Sequence, residues 1–205
     1  MNGKIVLTSQ GFSDKIVEEK IKSLVDLLVT KKVAFIVTAS RDKDKNKYNQ
    51  RDRDIFLSNF QCELVDFIDL EDTPEIDFSN YDIMYVAGGN TFKLLKYARA
   101  AGLSNSIINL LYRGGLYIGV SCGSLILSNS VLVAEGRDEN KEGITDYTGF
   151  GIVPYITYPH YSPSDEAEIT KFELENKQKI TRLNDHQCLI YDPLSHITEW
   201  IGESH

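Results

Sequence analysis

Gly119-Val120-Ser121-Cys122-Gly123 is the segment of this chain best suited to chemistry. The pattern Gly-x-Ser-x-Gly, entered from a run of strand formers (Leu116, Tyr117, Ile118, Val120) and left through an apolar segment (Leu125 to Leu127), is that of a nucleophile elbow. In such a turn the strained backbone pushes the serine hydroxyl out of the sheet. A Cβ at either glycine would collide with a neighbouring strand or helix. A helix starting just after the serine would aim free N–H groups and a positive dipole end at the reacting atoms. These features suit a serine that attacks a carbonyl and must then stabilise an oxyanion.

Such a serine needs a base. Four histidines are available: His160, His186, His196 and His205. His160 follows the apolar run Ile152 to Tyr158 and Pro159, which puts it at a strand end, the same kind of position as Ser121. It ranks first, with His186 second. His196 falls in a turn sequence, Asp192-Pro193-Leu194-Ser195-His196, and is expected at the surface, and His205 is terminal. The base in turn needs a carboxylate to fix its tautomer, for which Asp185 and Asp138 lead and Asp146 follows. Gly88-Gly89-Asn90 also ends a strand, so the N–H groups there could join that of Cys122 in an oxyanion hole. As a plain sequence, Gly-Gly-Asn is equally good turn chemistry.

The elements that must hold these residues alternate between β and α in the first two thirds of the chain. Lys4 to Thr8, Val33 to Thr38, Cys62 to Phe67 and Ile83 to Ala87 read as strands. Ser13 can cap a helix whose apolar positions Ile16, Ile21, Leu24, Val25 and Leu28 fall on one face. Arg41 to Arg53 has no apolar period and reads as a loop running into a helix near Ile55 to Phe60. Helices from Thr91 to about Ala101 and from Ser104 to Tyr112 lead to the elbow strand. Beyond Val131 the pattern turns shorter and more β-like, over Val131 to Ala134, Ile152 to Thr157 and Cys188 to Tyr191. One helix interrupts it, from about Pro163 to Gln178, with Ser162 as cap and Asp165 as third residue. Continuous apolar strands alternating with helices predict an open, mostly parallel sheet covered on both faces, with ligands outside the carboxyl ends of the strands. No linker or repeat divides residues 1–205, which read as a single domain.

Composition narrows the partners. The net charge of −8 argues against nucleic acid or an anionic membrane as the main partner. Three widely spaced cysteines (Cys62, Cys122, Cys188) without a CxxC pair fit free thiols in a reducing compartment. The N-terminus shows neither a long apolar run nor a small-residue cleavage site, and no segment approaches the ~18 apolar residues of a membrane span. The expectation is a cytoplasmic protein.

Val86-Ala87-Gly88-Gly89-Asn90-Thr91-Phe92-Lys93-Leu94-Leu95, then Tyr117 to Ser124, then Tyr158-Pro159-His160-Tyr161, closely resemble the dipeptidase E (aspartyl dipeptidase) family, of which cyanophycinase is a larger relative. The resemblance runs in the same order through nearly the whole chain. It implies a three-layer, flavodoxin-like α/β sandwich related to class I glutamine amidotransferases, acting as a serine peptidase on short peptides without metal or organic cofactor, as a monomer or homodimer. It implies Ser121 as nucleophile, His160 as base, and Gly88, Gly89 and the Cys122 N–H as the oxyanion-hole region. For the acid it points to Asp185, while a second alignment places an aspartate between serine and histidine, where Asp138 fits loosely.

Two departures stand out. Cys122 replaces the alanine that usually follows the family's nucleophile, which raises the alternative of a cysteine-dependent, amidotransferase-like hydrolase. The aspartyl dipeptidases also carry an arginine after the histidine that pairs with the substrate's aspartate. The matching stretch, Ser162 to Glu175, has none and holds Asp165, Glu166, Glu168, Glu173 and Glu175. An acidic pocket would repel an aspartyl substrate, so the expectation is a preference for a neutral or basic N-terminal residue. A catalytically silent binding homologue is the remaining alternative.

Overall fold

The computed structural model describes residues 2–202. His205, one of the four histidines, lies outside them. A seven-stranded sheet runs in the order β3-β2-β4-β5-β1-β8-β9, with β1 at Lys4–Thr8, β2 at Lys32–Ile36, β3 at Leu64–Ile68, β4 at Ile83–Val86, β5 at Leu116–Val120, β8 at Cys188–Asp192 and β9 at Ile197–Ile201. The first five are parallel, and β8 and β9 join antiparallel beyond β1. The central strands are buried end to end, as expected of strands covered on both faces.

Each face has its own apolar core. On one side Val17, Ile21 and Val25 of α1 (Lys15–Val25) and Phe56 of α2 (Lys47–Ser58) pack against Phe35, Tyr85 and Ile118. On the other, α3 (Thr91–Ala100), α4 (Leu103–Tyr112) and α5 (Cys122–Leu125) bury Leu94, Leu95, Ile107 and Leu111. The mostly parallel, three-layer architecture is the expected one. No helix among the described residues is long and apolar enough to cross a membrane.

A second, two-stranded parallel sheet lies outside the first, formed by β6 (Ile156–Pro159) and β7 (Ile180–Leu183) and connected through α6 (Glu166–Asn176). Its inward residues Ile156, Tyr158, Ile180 and Leu183 join the α3–α5 core.

Several local expectations change. Asp14 rather than Ser13 caps α1, accepting from the N–H groups of Ile16 and Val17. The charged stretch from Arg41 is mostly helical, because Asn46 caps α2 and starts it at Lys47, well before the apolar pattern begins at Ile55. Val131 to Ala134 is not a strand: Leu132–Ala134 form a 3-10 turn. The strand expected over Ile152 to Thr157 is β6, displaced toward His160, and β7 and β9 carry too little apolar alternation to stand out. The start after Ser162 is as expected, with Asp165 accepting from the Ser162 N–H at 2.7 Å, but the first turn is 3-10 and α6 ends at Asn176.

Candidate active site

β4, β5 and β1 are neighbours, so their carboxyl ends open onto one crevice. β5 ends in a turn whose Ser121 sits at φ 52°, ψ −113°, a conformation few side-chain-bearing residues adopt. Its surroundings enforce it. A Cβ at Gly119 would lie 2.5 Å from the Gly123 carbonyl oxygen, and one at Gly123 would lie 2.4 Å from that of Val86. The Ser121 N–H donates to Thr8 O at 2.9 Å. Beneath the turn the wholly buried Ser124 hydroxyl accepts from the Thr8 N–H at 2.9 Å and lies 2.8 and 2.7 Å from the carbonyl oxygens of Thr8 and Gly119. The following helix is shorter than expected, only the four residues of α5, so its dipole is correspondingly small.

His160 follows β6 and also has positive φ, 61°. Its N–H donates to Ser9 Oγ at 3.0 Å, and that hydroxyl donates to Leu183 O at 2.7 Å. Arg137 supports the strand end from the other side, its guanidinium 3.8 Å above the Tyr158 ring and donating to Pro159 O at 3.1 Å. The imidazole Nε2 lies 3.0 Å from Ser121 Oγ, and Nδ1 lies 2.7 Å from Asp185 Oδ1. A carboxylate only accepts, so Nδ1 carries the proton and Nε2 faces the serine hydroxyl as an acceptor.

Gly88 and Gly89 form the opposite lip. Gly88 is close enough to the serine that a Cβ there would be 3.1 Å from Ser121 Cβ. Gly89 has φ 147°, and a Cβ on it would meet Ala39 O at 2.0 Å, so only glycine fits. The N–H groups of Gly89 and Cys122 both lie close to the Cys122 sulfur, where they favour its charged form against the larger effect of burial. A cavity of about 430 Å³ extends from Ser121 and His160 to a wall made by Ser40, Arg41, Tyr48, Arg51 and Asp52. Asp52, buried, accepts from Arg51 Nε at 2.7 Å and from the Tyr85 hydroxyl. Burial pushes its carboxyl above the ordinary carboxylate range, against the opposing pull of Tyr85 and Arg51.

Ser121, His160, Asp185, Gly88, Gly89 and Cys122 therefore meet at one place, and the other candidates do not. Asp138 accepts from the Thr91 N–H at 2.8 Å and serves the start of α3. Asp146 accepts from the Thr148 N–H at 3.0 Å and pairs with Arg99. His186 pairs with Asp14 at 3.2 Å, and His196 Nδ1 lies 2.8 Å from the Tyr191 hydroxyl. The Cys122 thiol is buried, directed at Ala87 O 3.6 Å away. Burial, with Asp138 adding to it, pushes that thiol far above its ordinary range.

The expected acidic pocket is not present beside Ser121. Glu166 and Glu173 both pair with Arg182, at 2.7 and 2.6 Å, and Glu168 and Glu175 line a different cavity with Leu132 and Phe172. The charges beside Ser121 are instead Arg41, Arg51 and Asp52. Sequence reasoning missed these, along with Ser9, Gln10 and Arg137. Ser9 and Gln10 carried a usable signal: they follow β1, and residues leaving a central parallel strand at its carboxyl end face the crevice.

The profile of peptidase family S51 matches residues 5–194 of the chain. The uncharacterized peptidase Lmo0363 of Listeria monocytogenes serovar 1/2a is 31% identical over 168 residues, covering 78% of this chain and 81% of that protein. Peptidase E of Escherichia coli O1:K1 / APEC is 36% identical over a shorter stretch of 92 residues, 43% of this chain and 38% of that one. Among solved structures, a Listeria monocytogenes EGD-e protein proposed to be a peptidase E superposes with a TM-score of 0.73 at 24% identity, covering 98% of this chain and 99% of its own. A peptidase from an acI-B1 Actinobacterium gives 0.68 at 15% identity, covering 100% and 89%. With a family profile spanning nearly all of its length and a crevice lined as described, the chain belongs to peptidase family S51 and is a hydrolase of peptide bonds.

Proposed function

We propose that this peptidase cleaves short peptides by covalent catalysis, with Ser121 as nucleophile, His160 as general base and Asp185 as the acid that orients it. The observation that carries the reading is the hydrogen-bonded line Ser121 Oγ–His160 Nε2 (3.0 Å) and His160 Nδ1–Asp185 Oδ1 (2.7 Å). His160 takes the hydroxyl proton as Ser121 attacks the scissile carbonyl. The oxygen that becomes negative is held by the N–H groups of Gly89 and Cys122, with Gly88 allowing close approach. The imidazolium, stabilised by Asp185, then protonates the departing amine, and water hydrolyses the acyl-enzyme by the same route in reverse. Cys122 contributes its backbone only, since its thiol is buried and strongly held in the protonated form.

Specificity is not strictly aspartyl. Residues 162–175 supply no arginine, and Arg182 nearby is fully engaged by Glu166 and Glu173. The cavity beside Ser121 carries both signs of charge, so it singles out no one charge class of acyl residue. A dipeptide panel assayed with the wild type, Ser121→Ala and Cys122→Ala tests the reading. Ser121→Ala abolishes hydrolysis and Cys122→Ala retains it. Loss in the cysteine variant alone would move the nucleophile to Cys122, and no hydrolysis of the panel by the wild type would overturn short peptides as the substrate class.

A further inference from the structure

Asp185 stands on the short turn between β7 and β8, with about a third of its side chain exposed. A carboxylate so placed can rotate and hydrate. One of its oxygens receives His160, and the other, Oδ2, receives the side-chain amide of Gln10 at 2.5 Å. Among the described residues nothing else donates to that carboxylate. Because a carboxylate only accepts, it must be the Gln10 nitrogen that faces it.

The Gln10 backbone is itself tied down. The Gly11 N–H donates to Thr8 Oγ1 at 3.0 Å, and Arg51 Nη2 donates to Gln10 O at 3.4 Å. The preceding Ser9, buried, holds the His160 N–H and Leu183 O with one hydroxyl. Two adjacent residues at the end of β1 thus fix both partners of the serine: Ser9 the backbone of the base, Gln10 the side chain of the acid. β1 also accepts the Ser121 N–H, so all three groups are referred to one central strand.

We propose that Gln10 is a positioning residue of this peptidase, holding Asp185 in the orientation that meets His160. The inference rests on the Ser121–His160–Asp185 reading. The charged and titratable groups around the pair are His160 from the end of β6, Asp185 and His186 from the β7–β8 turn, Asp14 paired to His186, and Arg41, Arg51 and Asp52 from the cavity wall. Gln10 is the neutral donor among them. Its amide offsets part of the Asp185 charge felt by His160, so removing it favours the protonated imidazole and replacing it with a carboxylate does so more strongly.

The test is the rate at which a fluorophosphonate labels the intact protein, measured across pH for wild type, Gln10→Leu, Gln10→Glu, Gln10→Arg and Ser121→Ala. Gln10→Leu is expected to label roughly tenfold more slowly, the size of one charge-assisted hydrogen bond. Its acid limb moves to higher pH, and that of Gln10→Glu moves further. Gln10→Arg, which restores a donor and adds a charge, labels close to the wild-type rate with its acid limb at lower pH. Profiles that coincide with the wild type, or that change equally and in one direction in all three variants, overturn the proposal, the second outcome marking a merely structural residue. Labelling that persists in Ser121→Ala overturns the underlying site reading, and the role of Gln10 with it.

Discussion

The two halves of the crevice are held in place by different physics. The Ser121 turn is fixed by backbone packing: glycines pressed against carbonyl oxygens, the buried Ser124 hydroxyl beneath, and strands buried on both faces. The His160 side belongs to a small separate sheet whose apolar residues join the α3–α5 core, while the base and its carboxylate are themselves held by polar side chains: Ser9, Gln10 and Arg137. His160 and Asp185 keep 41% and 35% of their side chains exposed, so water competes for every one of their bonds. The nucleophile role proposed for Ser121 needs one unvarying position, and close packing gives it. In the proposed mechanism the imidazole alone cycles through protonation states beside a carboxylate that stays ionised, and solvent-accessible hydrogen bonds allow the small adjustments this needs. The comparison implies that substitutions in the packing that holds Ser121, apart from Ser121 itself, act on stability, and those in the contacts that hold His160 on rate.

The largest expected effect separates the two acids. Asp185→Asn preserves shape but presents the wrong hydrogen-bonding groups to His160 Nδ1, and kcat is expected to fall by roughly a thousand- to ten-thousand-fold with an unchanged melting temperature. Asp138→Ala is expected to leave kcat within about twofold and to cost about 1 kcal/mol of stability, the usual worth of a helix-start acceptor. Kinetics and thermal melts on both variants decide it. Equal losses of rate would return Asp138 to the site.

Next in size is Gly123→Ala. Its methyl group would press on the Val86 carbonyl oxygen, a backbone atom of a central strand that cannot give way. A cost of about 3 kcal/mol in urea unfolding is expected, with activity lost in proportion to the folded fraction. A stable but inactive variant would show that the turn tolerates distortion and would break the contrast between the two sides.

Residues differ in how openly the sequence announced their places in the crevice. Gly119, Ser121 and Gly123 were legible because the turn needs those residue types at that spacing, and β1, β2, β4 and β5 because strands buried on both faces are unbroken apolar runs. His160 was legible from its place after a strand-like run ending in proline. Asp185 was not separable from Asp138 by residue type, since only folding decides which carboxylate meets the imidazole. The α2 wall was read as loop because its helix is polar on most sides: a cap at Asn46 and the buried Asn49 and Asp52 position it, and neither leaves an apolar period. The acidic run of α6 misled for a related reason. Its charge was visible, but Arg182, the partner that absorbs it, comes from β7, which carries no clear strand pattern of its own.

The smallest expected effect concerns the third wall of the cavity, which is held by polar contacts as the His160 side is. Lys43, at the base of the segment carrying Arg41, pairs with Asp69 and lies 3.3 Å from Glu71, which also receives Lys93 at 2.9 Å and the Tyr97 hydroxyl at 2.8 Å. The Lys93 bond first, then Tyr97 and Lys43, lower the Glu71 carboxyl from its ordinary 4.5 to about 2. A carboxylate depressed on folding contributes stability that is complete above its unfolded value and is lost as pH falls through the folded one. For Glu71 the loss therefore develops below about 4.5 and is complete only below about 2. Since a third of the side chain is exposed, screening keeps the effect small. The stability difference between wild type and Glu71→Gln, from thermal melts at pH 7, 4 and 3, should narrow toward the acid end. Because the Ser121 turn contains no titrating contact of this kind, amide exchange at Gly123 and Ser124 should respond less to the same acidification than exchange in residues 40–46. A uniform response would mean that this wall is anchored by packing after all.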